Sequence, residues 1–156
     1  MTSEALLSLG SNVGDRKALI DAAVARLAAL PMTKLRARSS YYRTAPVGPV
    51  AQDWFLNIAV TLTTGLEFEP LAAACRVIET DLGRDRTREI PSGPRPVDID
   101  VISLGDMARP DDRAFVLVPL AEIAADSTIA GMPVHERLAR IQVTGVEKLD
   151  WPPPLP

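Results

Sequence analysis

Asp98 and Asp100 stand two apart in the run Gly93-Pro94-Arg95-Pro96-Val97-Asp98-Ile99-Asp100-Val101-Ile102. On an extended strand, where side chains alternate, that spacing sets both carboxylates on one face and the aliphatics Val97, Ile99 and Val101 on the other. Residues two apart lie roughly 6–7 Å from one another along a strand, so two such acids can hold one metal ion or bridge a close pair. Arg95 lies three residues upstream of Asp98, and a guanidinium suits phosphate. Carboxylates, an implied metal and an arginine together point to phosphoryl transfer. A bare Asp-x-Asp is also what a solvated acidic edge strand looks like, so its neighbourhood has to decide.

That neighbourhood is rich in arginine. Arg84, Arg86, Arg88 and Arg95 bracket a stretch with no apolar period, whose glycines and prolines form loops. Arginine forks meet phosphate oxygens in two-point contacts and stay charged at any working pH. Asp85 and Glu89 are able to neutralise the cluster as a solvated loop. An arginine loop running straight into a paired-carboxylate strand nevertheless favours function.

The elements that must position these groups are legible in outline. Residues 5–9 read as a short buried strand that ends at Gly10-Ser11-Asn12. Asn12 or Asp15 caps a following helix with Leu19, Ala23, Leu27 and Leu30 on its apolar side, ending at Pro31. Residues 34–43 alternate, with Lys34, Arg36 and Arg38 opposite Leu35, Ala37 and Tyr41. Residues 54–63 form the clearest strand: Leu56, Ile58, Val60 and Leu62 make its core face, and Phe55 and Asn57 point the other way. Pro70 opens a second helix with the stripe Leu71, Ala74, Cys75, Ile78 and Leu82, stopped by Gly83. This β-α-β-β-α-β order predicts an α+β, ferredoxin-like sheet with both helices on one face and the active site on the other. Phe55, Asn57, Asp98 and Asp100 fall on the free face.

Length and composition bound the function. The 156 residues suit one domain over 1–151, with a proline-rich tail at 152–156. A net charge of −3 argues against a generally basic nucleic-acid binder. Cys75 is the only cysteine, so no internal disulfide forms, and an inert core thiol is the favoured reading. No apolar run approaches about 18 residues and no signal peptide opens the chain. A cytoplasmic monomer without membrane or nucleic-acid partners is expected.

Gly10-Ser11-Asn12-Val13-Gly14-Asp15-Arg16, Tyr42-Arg43-Thr44-Ala45-Pro46-Val47-Gly48, Phe55-Leu56-Asn57, Ile78-Glu79, Gly83-Arg84 and Gly93-Pro94-Arg95 with Asp98-Ile99-Asp100 follow one another along the chain. In these motifs and their order the chain resembles the 6-hydroxymethyl-7,8-dihydropterin pyrophosphokinases of folate biosynthesis. Phe115-Val116-Leu117-Val118-Pro119-Leu120 continues the match. The resemblance implies transfer of a pyrophosphoryl group from ATP to the pterin's hydroxymethyl oxygen, releasing AMP. It implies that Asp98 and Asp100 hold two magnesium ions, and that Arg84, Arg86 and Arg95 bind phosphates, Arg84 and Arg95 acting in catalysis. Phe55 and Phe115 would sandwich the pterin, with Asn57 and the backbones of Thr44 and Val47 reading its edge. Glu79 and Arg113 would lie by the nucleotide. Core packing of Phe115, and an ion pair of Glu79 with Arg76 or Arg84, are the plain alternatives.

Two departures stand out. Pro91 and Ser92 replace the basic and aromatic residues that usually precede Gly-Pro-Arg. The stretch between Asp106 and Arg113 is shorter than in the family and lacks its Pro-His segment; His135, the only histidine, reads as a surface residue opening a C-terminal helical segment. The metal and pterin halves look intact and the adenosine half trimmed, which leaves a non-catalytic pterin- or nucleotide-binding relative as the alternative. An RNA-binding ferredoxin-like module fits worse, because the chain is acidic and lacks an aromatic pair on a basic sheet face.

Overall fold

Strand β1 (Ser3–Ser11) is apolar toward both of its faces, with Ala5, Leu7 and Leu9 in one buried cluster and Leu6 in another. A strand of that pattern belongs in the middle of a sheet covered on both sides. In the computed structural model, which describes residues 1–150, β1 lies between β4 (Phe55–Thr64) and β5 (Asp98–Leu104), antiparallel to each. Strands β2 (Thr33–Arg38) and β3 (Tyr42–Thr44) share the other edge of β4. The sheet ends in the two-residue β6 (Met107–Ala108) beside β5 and the three-residue β9 (Val146–Lys148) beside β3. The tail beyond Asp150 lies outside the described residues.

Helix α1 (Arg16–Ala28) is capped by Asp15, whose Oδ1 accepts a hydrogen bond from the Ala18 amide at 3.1 Å. Its buried stripe is Ile20, Ala23, Val24 and Leu27, rotated from the expected one; Leu19 and Leu30 lie at the margin. Helix α2 (Phe68–Asp81) buries Leu71, Cys75 and Ile78 and holds Pro70 in its first turn. Gly83, at φ +104°, lets the chain leave it. Both helices pack on one face against Leu7, Leu9, Ile58, Val60 and Leu62. Each such aliphatic, fully buried, contributes about 1.5–3 kcal/mol.

The other face is not free, and here the expectation needs correction. Helix α3 (Ala114–Ala124) sets Val116, Leu117 and Leu120 against Leu6, Ala59 and Ile102. Outside it lie the β7 (Thr128–Ile129) and β8 (Met132–Pro133) hairpin and helix α4 (Val134–Ala139), the last where a C-terminal helical segment was expected. The reason lies in the face itself. Its far end is apolar and needs cover, whereas its near end carries Asn57, Asp98 and Asp100 and stays open.

Residues 34–43 do not run as one strand. A register shift between Leu35 and Ala37 interrupts β2 itself, and the bond from the Ala59 amide to Ser39 Oγ (2.8 Å) marks the break between β2 and β3. Tyr41 then reaches Asp21 of α1, while Tyr42 donates to Glu122 of α3 at 2.6 Å on the opposite face. Burial and the Glu122 carboxylate together hold the Tyr42 phenol well above its usual pKa. A second bulge, at Ile102 of β5 opposite Leu6 and Leu7, shifts the alternation only after Asp98, Asp100 and Ile102 have shared a face, and Leu104 falls in the other cluster.

Candidate active site

Register builds the floor of the site. Gly10 of β1 pairs with Asn57 of β4 on one side and with Asp98 of β5 on the other, so these three form a row across the sheet. Adjacent strands lie about 4.8 Å apart, which puts Asn57 and Asp98 roughly 10 Å apart with no side chain between them. Gly10 is required there, since a Cβ at that position would come within 2.5 Å of Asn57 Nδ2. Asn57 is buried, and its Nδ2 donates to the Leu9 carbonyl at 3.1 Å. That carbonyl can only accept, so the amide nitrogen must face it. The Thr44 hydroxyl then donates to Asn57 Oδ1, at 2.5 Å.

A cavity of about 250 Å³ opens over this row, and Thr44, Val47, Phe55, Asn57 and Phe115 all line it. Phe115 both lines the cavity and packs against the second core cluster, so its two readings are compatible. Thr44 lines the cavity, bonds Asn57 through its hydroxyl and pairs with Phe55 and Val146 in the sheet. Arg95, Asp98 and Arg113 form the charged side of the cavity.

Beyond them the arginines and carboxylates answer one another. Arg84, with a side chain only 3 % exposed, bonds Glu79 at 2.7 Å, Glu89 at 2.5 Å and Asp98 at 2.9 Å. Burial opposes its charge, but hydrogen bonds to Glu89 and Asp98 win and raise its pKa. The Glu89 carboxyl is held below its ordinary value by that same bond to Arg84. Glu79 does not lie open to a nucleotide. It is buried, with Oε2 accepting from the Ile99 amide and Arg84 and Oε1 from Arg86, each at 2.7 Å. The ion-pair alternative is therefore correct for Glu79, with Arg84 and Arg86 as partners. Arg84 itself is engaged beneath Asp98 and presents no free fork.

Arg95 lies 3.8 Å from Asp98, and Arg113 bonds Asp100 at 3.0 Å and Asp111 at 2.8 Å. The Asp98 and Asp100 side chains are 39 % and 47 % exposed on one face of β5, as the spacing predicts. Among the described residues no group of three or more His, Cys, Asp or Glu could form an all-protein metal cage. Two carboxylates on an open face fit magnesium, which keeps waters and takes its remaining oxygens from substrate phosphates. A larger cleft, about 910 Å³, runs from Asp100 and Arg113 past Val101 to Phe68 and Arg109.

Sequence reasoning missed a connector. Asn12, read as a possible cap, instead donates through Nδ2 to Gln52 Oε1 (2.8 Å) and accepts from the Arg95 amide (2.9 Å). Gln52 Nε2 donates on to the Ser92 carbonyl at 2.7 Å. These bonds tie the loop after β1, the loop before β4 and the arginine loop together at the cavity rim. Gln52 carries no local signal; only the tertiary contact reveals it.

Residues 6–125 match the family described as 7,8-dihydro-6-hydroxymethylpterin-pyrophosphokinase. The chain belongs to that family. A 2-amino-4-hydroxy-6-hydroxymethyldihydropteridine pyrophosphokinase of Methylorubrum extorquens is 45 % identical over 159 residues, covering 95 % of this chain and 99 % of that protein. The Bacillus subtilis protein of the same name is 41 % identical, over 79 % of each chain. A bifunctional protein of Lactococcus lactis is 34 % identical, and this chain spans 41 % of its length. The fold is also that of part of wild-type Plasmodium falciparum HPPK-DHPS with pteroate, at TM-score 0.65 and 13 % identity over 88 % of this chain and 42 % of that one. Among the described residues no helix is long and apolar enough to cross a membrane.

Proposed function

We propose that this pterin pyrophosphokinase moves a pyrophosphoryl group from ATP to the hydroxymethyl oxygen of 6-hydroxymethyl-7,8-dihydropterin, in folate biosynthesis, through the residues assembled around Gly10. The observation that carries the assignment of the site is the Asn57–Gly10–Asp98 row. It sets a polar-floored, aromatic-walled cavity directly beside two carboxylates. A flat polar heterocycle wants those aromatic faces and a few directed hydrogen bonds. Phe55 and Phe115 take the ring's faces, Asn57 pairs with its edge, Thr44 fixes the Asn57 amide, and Val47 closes the rim.

Asp98 and Asp100 would hold two magnesium ions, which would supply charge neutralisation at the phosphate oxygens. Arg95 and Arg113 stand at the cavity's charged side, where they bind phosphates and steady the charge that spreads during in-line transfer. Arg84 acts from below, orienting Asp98, while Glu79 and Glu89 hold Arg84; Arg86, half exposed, is the further phosphate contact on this loop. For AMP to leave, the hydroxymethyl oxygen gives up its proton to solvent and bonds to the β-phosphorus. The bond from that phosphorus to the α–β bridging oxygen breaks, and AMP keeps the oxygen. The adjoining cleft has room for the nucleoside. The β1-α1-β2-β4-α2-β5 connectivity supports a ferredoxin-like core, and the whole acts as a cytoplasmic monomer.

The test is incubation with ATP, magnesium and the hydroxymethyl-dihydropterin. AMP and pterin pyrophosphate should appear in equal amounts. ADP as the product would refute pyrophosphoryl transfer, and ligand binding without turnover would establish the non-catalytic alternative.

A further inference from the structure

Arg137 is a buried charge that none of the chemistry above uses. It sits on α4, in the layer outside α3. Its Nε and Nη2 donate to the Ile129 carbonyl at 2.9 and 2.7 Å, which joins α4 to the β7–β8 hairpin. A third bond leaves that layer: Nη1 donates to Asp112 Oδ1 at 3.0 Å. Burying a guanidinium is costly unless it is paired, so this arginine is held firmly and holds its partners firmly.

Asp112 belongs to the segment 109–113, which has no helix or strand of its own to fix it. Its neighbour Asp111 grips Arg113 at three points: Oδ1 accepts from the Arg113 amide (3.2 Å) and Nε (3.1 Å), and Oδ2 accepts from Nη2 (2.8 Å). Arg113 Nη2 in turn donates to Asp100 Oδ2 at 3.0 Å, and its guanidinium lies 5.0 Å from the Phe115 ring centre. Two sets of polar contacts, joined by the backbone of residues 111–113, thus lead from the outer helix to the open carboxylate of β5.

We infer that Arg137 and Asp112 are positioning residues for nucleotide binding: by pinning segment 109–113 they make Asp111 present Arg113 over Asp100, where the phosphates arrive. This rests on the reading of Arg113 and Asp100 as the phosphate side of the site. Without the pin, Arg113 samples more orientations, and binding must then remove that freedom.

The experiment is calorimetry with magnesium and a non-hydrolysable ATP analogue on Asp112→Ala, in the native background and with Arg113→Ala. Asp112→Ala should weaken the analogue about fivefold in the native background and leave it unchanged once Arg113 is gone, because contacting residues couple while independent ones add. Asp112→Asn, which keeps an acceptor oxygen, should restore most of the affinity. Pterin affinity should hold steady throughout, and any fall in melting temperature from the loss of the Arg137 partner should be the same in both backgrounds. An equal loss of analogue affinity in both backgrounds, or no loss in either, would overturn the inference while leaving nucleotide binding intact. Failure of the unsubstituted protein to bind the analogue would instead remove the phosphate-side reading and this inference with it.

Discussion

The two halves of the site stand at different degrees of readiness. On the pterin side the floor is neutral and already oriented: Leu9 and Thr44 fix the Asn57 amide, and Gly10 leaves the space above it empty. On the phosphate side the charges satisfy one another, with Asp98 held by Arg84 and Arg95 and Asp100 by Arg113. Neutral groups can be preformed at little cost, whereas neighbouring carboxylates need counter-charges. On the proposed reading, the arginines that would meet phosphate also occupy the carboxylates beforehand, so that ligand arrival would be an exchange of partners. That exchange costs little at Asp100, since a half-exposed ion pair is worth at most about 1 kcal/mol.

The largest effect should come from the open carboxylates. Asp98→Ala or Asp100→Ala should cut turnover about a thousandfold or more, since the metal site loses half its protein ligands. Pterin affinity should barely change. Arg84 keeps Glu79 and Glu89 in the Asp98 variant, so the melting curve should persist. Near-normal turnover at saturating magnesium would dismiss the metal assignment.

Glu79→Ala inverts that pattern. It leaves Arg84 with Glu89 and Asp98 but strips the buried Ile99 amide of its acceptor, and should cost about 1–3 kcal/mol of stability. Chemical denaturation measures this directly; a loss under about 1 kcal/mol would mean that water replaces the carboxylate. On the pterin side, Phe55→Ala should cost about 1–3 kcal/mol of pterin affinity, by analogy with bases stacked on aromatic rings. Nucleotide affinity should be untouched, and calorimetry showing both ligands weakened alike would erase the division between halves.

The smallest effect is the share of acid sensitivity that Glu89 carries on the phosphate side. Arg84 holds the folded-state pKa of Glu89 below its ordinary 4.5. The stability this contributes is complete above about pH 4.5 and disappears as pH falls through the lower folded value. Stability followed from pH 6 to about 3 should therefore drop less in Glu89→Gln than in the native protein. Parallel curves would show that other carboxylates carry the acid response.

Much of this was legible in the residues themselves. The alternation of Leu56, Ile58, Val60 and Leu62 located β4, and Asp98 and Asp100 lie on a common open face because a strand of that spacing leaves no other choice. What escaped depends on tertiary partners. Residues 114–124 carry Pro119 and are apolar nearly all round, so no period announces α3 until Leu6, Ala59 and Ile102 supply the surface it covers. Glu79 resembles any helix-surface glutamate until β5 and the arginine loop close over it. Asn12 and Gln52 lie 40 positions apart, and no local pattern joins them.

The ends of the sheet have a consequence of another kind. Its outermost strands are only two and three residues long, and the remaining edge, β2, is broken by a bulge and bears exposed Lys34 and Arg36. Such margins offer a neighbouring chain almost no backbone to recruit. A fold finished in this way can be joined end to end with another catalytic unit without the two zipping together. It is suited to serve as a portable part.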